Sequence, residues 1–450
     1  MRRIAGGSGI STATHLASLI RKFPYENNND ITAANASTTN VTSEEKKDET
    51  VHTDETNEND EKEDEKEEEE EALMDVTVQT VINENDDYGR LLINHAKESN
   101  FELINCRRSS MPQQQNQSTS HCIVMVTPNE RSFVSHLGIM ETFQPSHTML
   151  HELVQCRSAD PTFTNHHHHI HIAGYYNLTK FHEKNSLKKR IKLIREKRRN
   201  KSHGQHVYTT TISLTPQHDA TAKWSTHTLF DLLPLVDFLI LNLLEACKIC
   251  RMEVPQNEDN IGNDLFVKLA DFLDEKSPQT YTVVTLGKLG AVLLYGGDVV
   301  HQYSAPAKYD NPLDPTGAGD AFVSGFLFGT MNWRRQRQHN QVAEIGSILE
   351  EAGGWTEAIE VGMKWGCATG TACVMKAGAS VPSTKSEIEL MLNPNIVEEE
   401  GFNDNGEEEE EDDDDSEQDS DYTSSDYNDD YDDYSSSYTS SNEYYEDEEA

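Results

Sequence analysis

The chain has 450 residues and a formal net charge of −41, and two acidic segments account for nearly all of that charge. Residues 44–71 carry −13 and residues 398–450 carry −26, which leaves −2 for the rest of the chain. A nearly neutral body of this length can bury the core of one α/β domain. Its charge argues against nucleic-acid binding, and the longest apolar run, "FLILNLL", is too short to cross a membrane.

Two segments contain too few apolar side chains to form a hydrophobic core. Residues 27–72 are rich in Asn and Thr and then in Glu, while residues 397–450 alternate acidic blocks with Ser and Tyr. Segments with so few apolar side chains cannot offset their ordering entropy, so both are predicted to be disordered. The Ser and Tyr residues of the tail are candidate phosphorylation sites, and an inert solubilising role is the simpler interpretation of both segments.

Between these segments, residues 73–396 alternate strand-like and helix-like runs. The strand candidates are "VTVQTVI", "CIVMVT", "IHIAG", "TTTISLT", "VDFLILN", "TYTVVTLG" and "AVLLYGG". The helix candidates are "YGRLLINHAKES", "DLFVKLADFLDEK", "DAFVSGFLFGTMN" and "TEAIEVGMKWGCATGTACVMK". This alternation predicts a largely parallel sheet covered by helices on both faces, with ligands at the carboxyl ends of its strands.

The stretch "NHHHHIHIAGYYN" has the composition of a metal site. Consecutive histidines on an extended chain point to opposite faces, however, so four in a row cannot converge on one ion. We interpret it as a histidine-decorated strand that leads into a turn at Gly174, and metal binding, for which His169 and His171 could share a face, is the alternative. The following "NSLKKRIKLIREKRRNK" has Leu187, Ile191 and Ile194 at helical spacing, which predicts an amphipathic helix with a basic outer face. Nuclear import or polyanion binding is the alternative for this segment.

The seven cysteines are an odd number in a chain without a secretory signal, which predicts free thiols in a reducing compartment. We therefore expect a cytoplasmic protein, with a nuclear or organellar location left open. Cys247 and Cys250 form one C-x-x-C motif, and no second pair stands at zinc-ribbon distance. The motif is interpreted as two structural positions one helical turn apart.

The turn "LDPTGAGDAFVSGF" carries the most specific chemistry. Gly317, Ala318 and Gly319 leave the backbone bare, so their N–H groups can face one point at the start of the next helix. Such an anion hole suits the charge of a phosphoryl group during transfer. A carboxylate there would repel phosphate, so Asp320 is interpreted as the base that takes a proton from an attacking hydroxyl. An Asp that only caps the helix is the alternative, and it leaves Gly-Ala-Gly unexplained.

Two other strand ends supply parts of a nucleotide site. Asn242 and Glu245 form N-x-x-E at a strand-to-helix junction, where Glu245 can hold Mg²⁺ through water. Thr285, Gly287 and Gly290 lie in a turn where small residues let a nucleotide approach the backbone. The chain has no G-x-x-x-x-G-K-[ST], which excludes a P-loop, and no early G-x-G-x-x-G, which sets aside a Rossmann dehydrogenase.

In order and spacing, these elements resemble the PfkB, or ribokinase-like, family of sugar and nucleoside kinases. "DPTGAGDAFVSGFL" is close to the whole family signature, and "NLLE" precedes it by a typical distance. "AGGSGISTATHLASL" resembles the family's early substrate loop and helix, which competes with an organellar transit peptide as the interpretation of residues 1–26. The resemblance implies a three-layer α/β/α sandwich with a mainly parallel central sheet, and a kinase domain over residues 73–396.

The resemblance also implies ATP, Mg²⁺ and, in some members, a monovalent cation such as K⁺. It makes Asp320 the base and Gly317, Ala318 and Gly319 the anion hole. The implied ATP contacts are Asn242, Thr285, Gly287, Gly290 and Cys367, which stands where relatives often place Asn or His. Glu245 would organise Mg²⁺, and the monovalent cation would match Asp314, Thr316 and Gly378. Substrate hydroxyls would meet Gly6, Gly7, Ser8, Ser11 and Asp320.

The start of the chain departs from the family pattern. Relatives place a strand with a substrate-binding Asp, and lid strands, before the glycine loop, whereas Met1 here lies five residues before Gly6. We therefore expect a domain without its first strand and part of its lid. Either the true protein is longer or this form lacks these parts, and the first explanation is physically easier because a lost central strand exposes sheet edges.

The expected function is transfer of the γ-phosphoryl group of ATP to a hydroxyl of a small ribose-like or fructose-like sugar or of a nucleoside. Neither nucleic acid nor a membrane is expected as a partner, and a homodimer is left open. The alternative is a catalytically silent kinase-like fold that serves as a binding or regulatory module. The intact GAGD and N-x-x-E motifs favour the enzyme, and the absent substrate strand favours the module.

Overall fold

The computed structural model describes part of the chain, and every structural statement below concerns that part. The described ranges are 8–24, 74–108, 116–126, 131–145, 165–199, 207–219, 221–224, 226–257, 261–306, 312–340 and 353–393. Gly6, Gly7 and the two segments predicted to be disordered lie outside these ranges, so the predictions for them stay predictions.

The described residues form strands and helices in the alternating order that the sequence predicts. The strands are β1 (Thr77–Thr80), β2 (Glu102–Asn105), β3 (His121–Val126), β4 (Arg131–His136), β5 (Asn165–Ala173), β6 (Val207–Thr215), β7 (Phe238–Asn242), β8 (Tyr281–Thr285), β9 (Ala291–Tyr295) and β10 (Asp298–Tyr303). The helices are α1 (Ser8–Lys22), α2 (Asp87–Glu98), α3 (Thr179–His182), α4 (Ser186–Arg199), α5 (His227–Leu232), α6 (Leu243–Ile249), α7 (Asn263–Lys276), α8 (Ala318–Asn340), α9 (Gly353–Val374) and α10 (Lys385–Leu392).

A six-stranded sheet lies at the centre, with the strand order β10-β9-β8-β7-β6-β5. Strands β5 to β8 are parallel neighbours, whereas β9 and β10 continue the sheet as antiparallel strands. The prediction of a mainly parallel sheet is therefore confirmed, with an antiparallel edge. Because parallel neighbours share their direction, β5 to β8 all end at the same edge of the sheet.

Alternating side chains of the sheet build two separate cores. Leu239 and Leu241 of β7 face the core that α4, α5, α6 and α7 cover. Phe238 and Ile240 face the opposite core, which α8 and α9 cover. Successive residues of a strand point to opposite faces, so the buried run "FLIL" feeds both cores at once. The result is the three-layer α/β/α arrangement that the sequence predicts.

Helices α8 and α9 pack against each other with their backbones in close approach. They run in opposite directions, because Phe322 lies beside Gly366 while Phe326 lies beside Gly362. A Cβ atom added at Gly366 would lie 2.9 Å from the Phe322 ring. Glycines at these positions therefore let α9 hold the amino-terminal end of α8, where Asp320 lies.

Two smaller sheets accompany the central one. Strands β1 and β2 pair in parallel and share a core with α1 and α2. Strands β3 and β4 pair as an antiparallel hairpin that exposes Ile123, Met125 and Val134. Helix α1 contacts both β1 and β5, so it connects the first small sheet to the central sheet.

Some elements differ from the prediction. Strand β5 begins at Asn165, so it includes the whole histidine run, and α8 continues to Asn340. Strands β2 and β10 are among those absent from the strand candidates: β2 is only four residues long, and β10 is partly exposed along its length. Among the described helices, none combines the length and the apolar character needed to cross a membrane.

Candidate active site

The glycine turn before α8 is bound to the loop that follows α9. The backbone N–H groups of Leu313 and Asp314 both donate to the Val374 carbonyl, at 2.8 and 3.0 Å. The Asp314 carboxylate in turn accepts from the N–H of Thr316 at 2.9 Å and of Gly378 at 3.0 Å. Asp314, Thr316 and Gly378, the predicted cation ligands, are therefore neighbours, and backbone donors already occupy the Asp314 carboxylate. Their role with a monovalent cation stays a prediction.

Gly317 has the conformation that only glycine adopts easily. Its φ is +85°, and a Cβ atom added there would lie 2.6 Å from both Cα and O of Ala379. Gly319 has open space around it instead. Ala318 donates its N–H to the Pro315 carbonyl at 3.2 Å, so an incoming anion would share or displace that bond. The anion hole stays a prediction, and the bare backbone it requires is present at the start of α8.

Asp320 lies in the first turn of α8, where its Oδ1 accepts a hydrogen bond from Ser8 Oγ at 2.6 Å. Burial of the carboxyl raises its pKa to about 7, although the Ser8 hydrogen bond acts in the opposite direction. A base with such a pKa is partly ionised at neutral pH and can still receive a proton. The side chain therefore has the chemistry that the predicted role requires.

Helix α1 is held against α8 and the loop after α9 by buried polar contacts. Ser324 Oγ donates to the Thr12 carbonyl at 2.8 Å, and His15 Nε2 donates to the Ala379 carbonyl at 3.1 Å. Ser11 is fully buried, and its hydroxyl lies 2.9 Å from that of Ser380. Of the two predicted substrate serines that are described, Ser8 thus contacts the catalytic candidate and Ser11 contacts another serine. Their substrate roles stay predictions.

Asn242 and Thr285 are register partners at the carboxyl ends of β7 and β8. Asn242 also caps α6, because its Oδ1 accepts from the Glu245 N–H at 2.9 Å while Glu245 Oε2 accepts from the Asn242 N–H at 3.1 Å. This reciprocal capping box explains the N-x-x-E spacing by itself. It also fixes both side chains at the sheet edge where the predicted nucleotide contacts lie.

Glu245 is 8% exposed, and burial raises its pKa to about 7, with a further contribution from the Asp320 carboxylate. The two carboxyl groups are therefore close enough to influence each other. Within the described residues, no Lys or Arg forms an ion pair with either of them. A buried pair of acids without a cation fits a divalent metal ion, which prefers oxygen ligands. No group of three or more His, Cys, Asp and Glu residues capable of holding a metal occurs in the described part of the chain, and the role of Glu245 with Mg²⁺ stays a prediction.

The predicted nucleotide turn follows β8 directly. Gly287 and Gly290 have φ values of +61° and +98°, and a Cβ atom at Gly290 would collide with the Tyr303 carbonyl. Gly290 is therefore required by the fold, whereas the space beside Gly287 is open. Cys367 is 4% exposed in the core between the sheet and α8–α9, and burial raises its pKa to about 12. The roles of these residues with a nucleotide stay predictions.

Sequence reasoning missed one residue that this geometry brings to the site. The Ser380 hydroxyl pairs with that of Ser11. Ser380 follows directly on "MKAGA", the end of the stretch that holds Gly378, so its position in the chain was an available signal.

Comparison with known proteins decides the family. The family model described as "pfkB family carbohydrate kinase" matches residues 84–385. The chain belongs to the pfkB family. This membership confirms the resemblance drawn from the glycine turn and the N-x-x-E motif.

Individual proteins that resemble this pfkB-family chain have low sequence identity to it or match only part of it. A cytidine kinase of Thermococcus kodakarensis is 35% identical over 79 residues, which are 16% of this chain and only 27% of that protein. A fructokinase of Vibrio cholerae O395, solved with fructose, ADP and calcium ion, is 16% identical with a TM-score of 0.50, covering 86% of this chain and 91% of that one. A ribokinase of Giardia lamblia has a TM-score of 0.47 at 16% identity, covering 70% and 81%. The fructokinase likeness shows the fold.

Proposed function

We propose that this chain is an ATP-dependent kinase that transfers the γ-phosphoryl group to a hydroxyl of a small sugar or a nucleoside. The observation that carries the proposal is Asp320, a buried carboxyl whose pKa is raised to about 7 and which directly follows the Gly317–Gly319 turn in the chain. Membership of the pfkB family supports the same reaction class.

In the proposed reaction, Asp320 accepts the proton of the substrate hydroxyl. The oxygen freed of its proton forms a bond to the γ-phosphorus of ATP, and the bond from that phosphorus to the β,γ-bridging oxygen breaks, which releases ADP. Charge that develops on the transferred group lies at the amino-terminal end of α8, where backbone N–H groups and the helix dipole stabilise it. Ser8 holds the Asp320 carboxylate in place through its 2.6 Å hydrogen bond.

Glu245 would hold Mg²⁺ through water, and Asn242 would contact the ATP phosphates. Bound Mg²⁺ would neutralise negative charge on the phosphates. The chain's own contribution is geometric, because the capping box fixes Asn242 and Glu245 at the end of β7. The adjacent end of β8 places Thr285 beside Asn242.

The substrate class is proposed from the relatives. The Vibrio fructokinase was solved with fructose and ADP, and the Thermococcus relative is a cytidine kinase. A sugar and a nucleoside would both present a hydroxyl group to Asp320. The proposed base therefore does not distinguish between these two substrate classes.

The test measures ADP release from ATP and Mg²⁺ with a panel of pentoses, hexoses and nucleosides. We expect turnover with at least one acceptor and a loss of at least a thousandfold in kcat for Asp320→Asn, which keeps the shape but cannot accept the proton. ATP binding by Asp320→Asn should survive. The matched control is Asp271→Asn on the exposed surface of α7, which should keep the wild-type rate. Absence of turnover with every acceptor, while MgATP still binds, would support the silent module instead.

A further inference from the structure

The loop that follows α9 touches the glycine turn through Ala379. A Cβ atom added at Gly317 would lie 2.6 Å from both the Cα atom and the carbonyl oxygen of Ala379, and 2.9 Å from its Cβ atom. The backbone of Gly317 and the carbonyl group of Ala379 are therefore in close contact. A movement of this carbonyl group would change the surroundings of the predicted anion hole.

The direction of the Ala379 carbonyl group matters electrostatically. Every peptide carbonyl oxygen carries a partial negative charge. Beside a turn whose N–H groups are predicted to face a phosphoryl group, a carbonyl oxygen that pointed at the bound anion would repel it. The same oxygen does no harm when a hydrogen bond directs it towards a donor elsewhere.

His15 on α1 supplies that donor. Its Nε2 atom lies 3.1 Å from the Ala379 carbonyl oxygen, across 364 positions of the chain. The side chain is only 5% exposed, and its burial lowers the pKa of His15 below the usual 6.5. The ammonium groups of Lys22 and Lys376 act in the same direction, although the hydrogen bond opposes them. The ring is therefore neutral at pH 7, and because a carbonyl oxygen can only accept, its proton is on Nε2.

The residues on either side of Ala379 are held by other contacts. The Gly378 N–H donates to the Asp314 carboxylate at 3.0 Å. The Ser380 hydroxyl lies 2.9 Å from a serine hydroxyl of α1. Neither contact involves the Ala379 carbonyl group, so the hydrogen bond from His15 is the contact that directs this oxygen towards α1.

We propose that His15 is a positioning residue, whose N–H group holds the Ala379 carbonyl oxygen towards α1 and so keeps the backbone of the Gly317 turn ready for the γ-phosphoryl group of ATP. The inference rests on the proposed function, because only a bound nucleotane triphosphate brings that group to the turn. A site whose dipoles are already oriented needs no rearrangement when the anion binds. His15 thus acts through Ala379 and does not contact the phosphoryl group itself.

The experiment compares two amide side chains at position 15 in the full chain. In His15→Gln the amide nitrogen can replace Nε2, whereas the side chain of His15→Asn is shorter by one methylene group and does not reach the Ala379 carbonyl oxygen. Dissociation constants are measured by calorimetry for the magnesium complexes of ADP and of β,γ-imido-ATP, an unreactive ATP analogue that keeps a γ-phosphoryl group. This measurement requires neither a sugar nor a nucleoside.

Two further variants separate positioning from stability. His15→Leu removes the donor without burying an unpaired amide. Thr14→Val is the matched control on the same helix, because Thr14 is 1% exposed and its hydroxyl lies 2.8 Å from Nε2 of His95 on α2. The melting temperature of each variant is measured without ligand.

The affinity for β,γ-imido-ATP relative to that for ADP should fall about tenfold in His15→Asn and His15→Leu, roughly the effect of one hydrogen bond. His15→Gln should keep this ratio close to that of the wild type. Thr14→Val should melt at a lower temperature and also keep the ratio.

An unchanged ratio in His15→Asn or His15→Leu overturns the inference, and so does an equal fall in Thr14→Val or in His15→Gln. If neither His15→Asn nor His15→Leu folds, His15 is a structural residue and the inference is wrong. Failure of the proposed function gives a different result, because the wild-type chain itself would then bind neither nucleotide.

Discussion

Acidification should destabilise the fold through a row of half-buried histidines on β5. Thr211 Oγ1 lies 2.8 Å from ring nitrogens of both His167 and His169, and Ser213 Oγ lies 2.7 Å from ring nitrogens of both His169 and His171. Burial lowers the pKa of His171 to about 4, and lowers that of His169 well below its usual value. Both rings are therefore neutral in the folded protein.

The magnitude follows from proton linkage. The folded pKa of His171 is about 4 and the ordinary value is 6.5, so the unfolded chain binds a proton first as the pH falls. The contribution of neutral His171 to the free energy of unfolding is fully present above pH 6.5, and it is lost as the pH falls from 6.5 towards 4. Between pH 7.5 and pH 5 the loss is about 2 kcal/mol for this single group. Asp320 and Glu245 act in the opposite sense, because their raised pKa values favour the folded state at low pH.

The assay is urea unfolding at pH 7.5 and at pH 5.0, followed by tryptophan fluorescence, for the wild type and His171→Gln. Taking the difference between the two chains cancels the contributions of Asp320 and Glu245. We expect the wild type to lose about 2 kcal/mol more than the variant between the two pH values. The control variant is Ile172→Val, because the Ile172 side chain lies in the core on the opposite face of the sheet. This substitution should lower the free energy of unfolding by about 1 kcal/mol at both pH values. Equal losses for the wild type and His171→Gln would refute the reasoning.

Two further predictions concern the glycine turn and its base. Gly317→Ala should lower the free energy of unfolding by about 2 to 4 kcal/mol and abolish turnover, because φ is +85° and Ala379 occupies the space of the new Cβ. The control variant is Gly319→Ala, whose new Cβ meets open space. In the same urea unfolding assay, its free energy of unfolding should be unchanged or slightly higher. At saturating substrate and Mg²⁺, kcat should rise about tenfold per pH unit below pH 7 and level off above it, since Asp320 must lose its proton to act as base; a flat profile between pH 5.5 and 8.5 would exclude this carboxyl.

Much of the architecture could be predicted because local patterns encode it. The unbroken apolar run "FLIL" of β7 and the long periodic runs of α7 and α9 are strong patterns, so the type and approximate bounds of these elements follow from the sequence. The glycine turn can also be recognised in the sequence, because a positive φ at Gly317 and an adjacent carboxylate require particular residue types in a fixed order. Short or half-exposed strands such as β2 and β10 have too weak a pattern for this reasoning.

The sequence by itself determined the residue types of the predicted site, including Asp320 beside a bare backbone and Asn242 and Glu245 in N-x-x-E spacing, because each depends on neighbours in the chain. Only the tertiary structure decided which distant groups meet. Ser8 and Asp320 are 312 positions apart and share a 2.6 Å hydrogen bond; the hydroxyls of Ser11 and Ser380, 369 positions apart, lie 2.9 Å from each other. Such pairings depend on the strand order of the sheet and on the packing of α1 against α8. The raised pKa values follow for the same reason, since burial is a property of the assembled layers and not of any local stretch of residues.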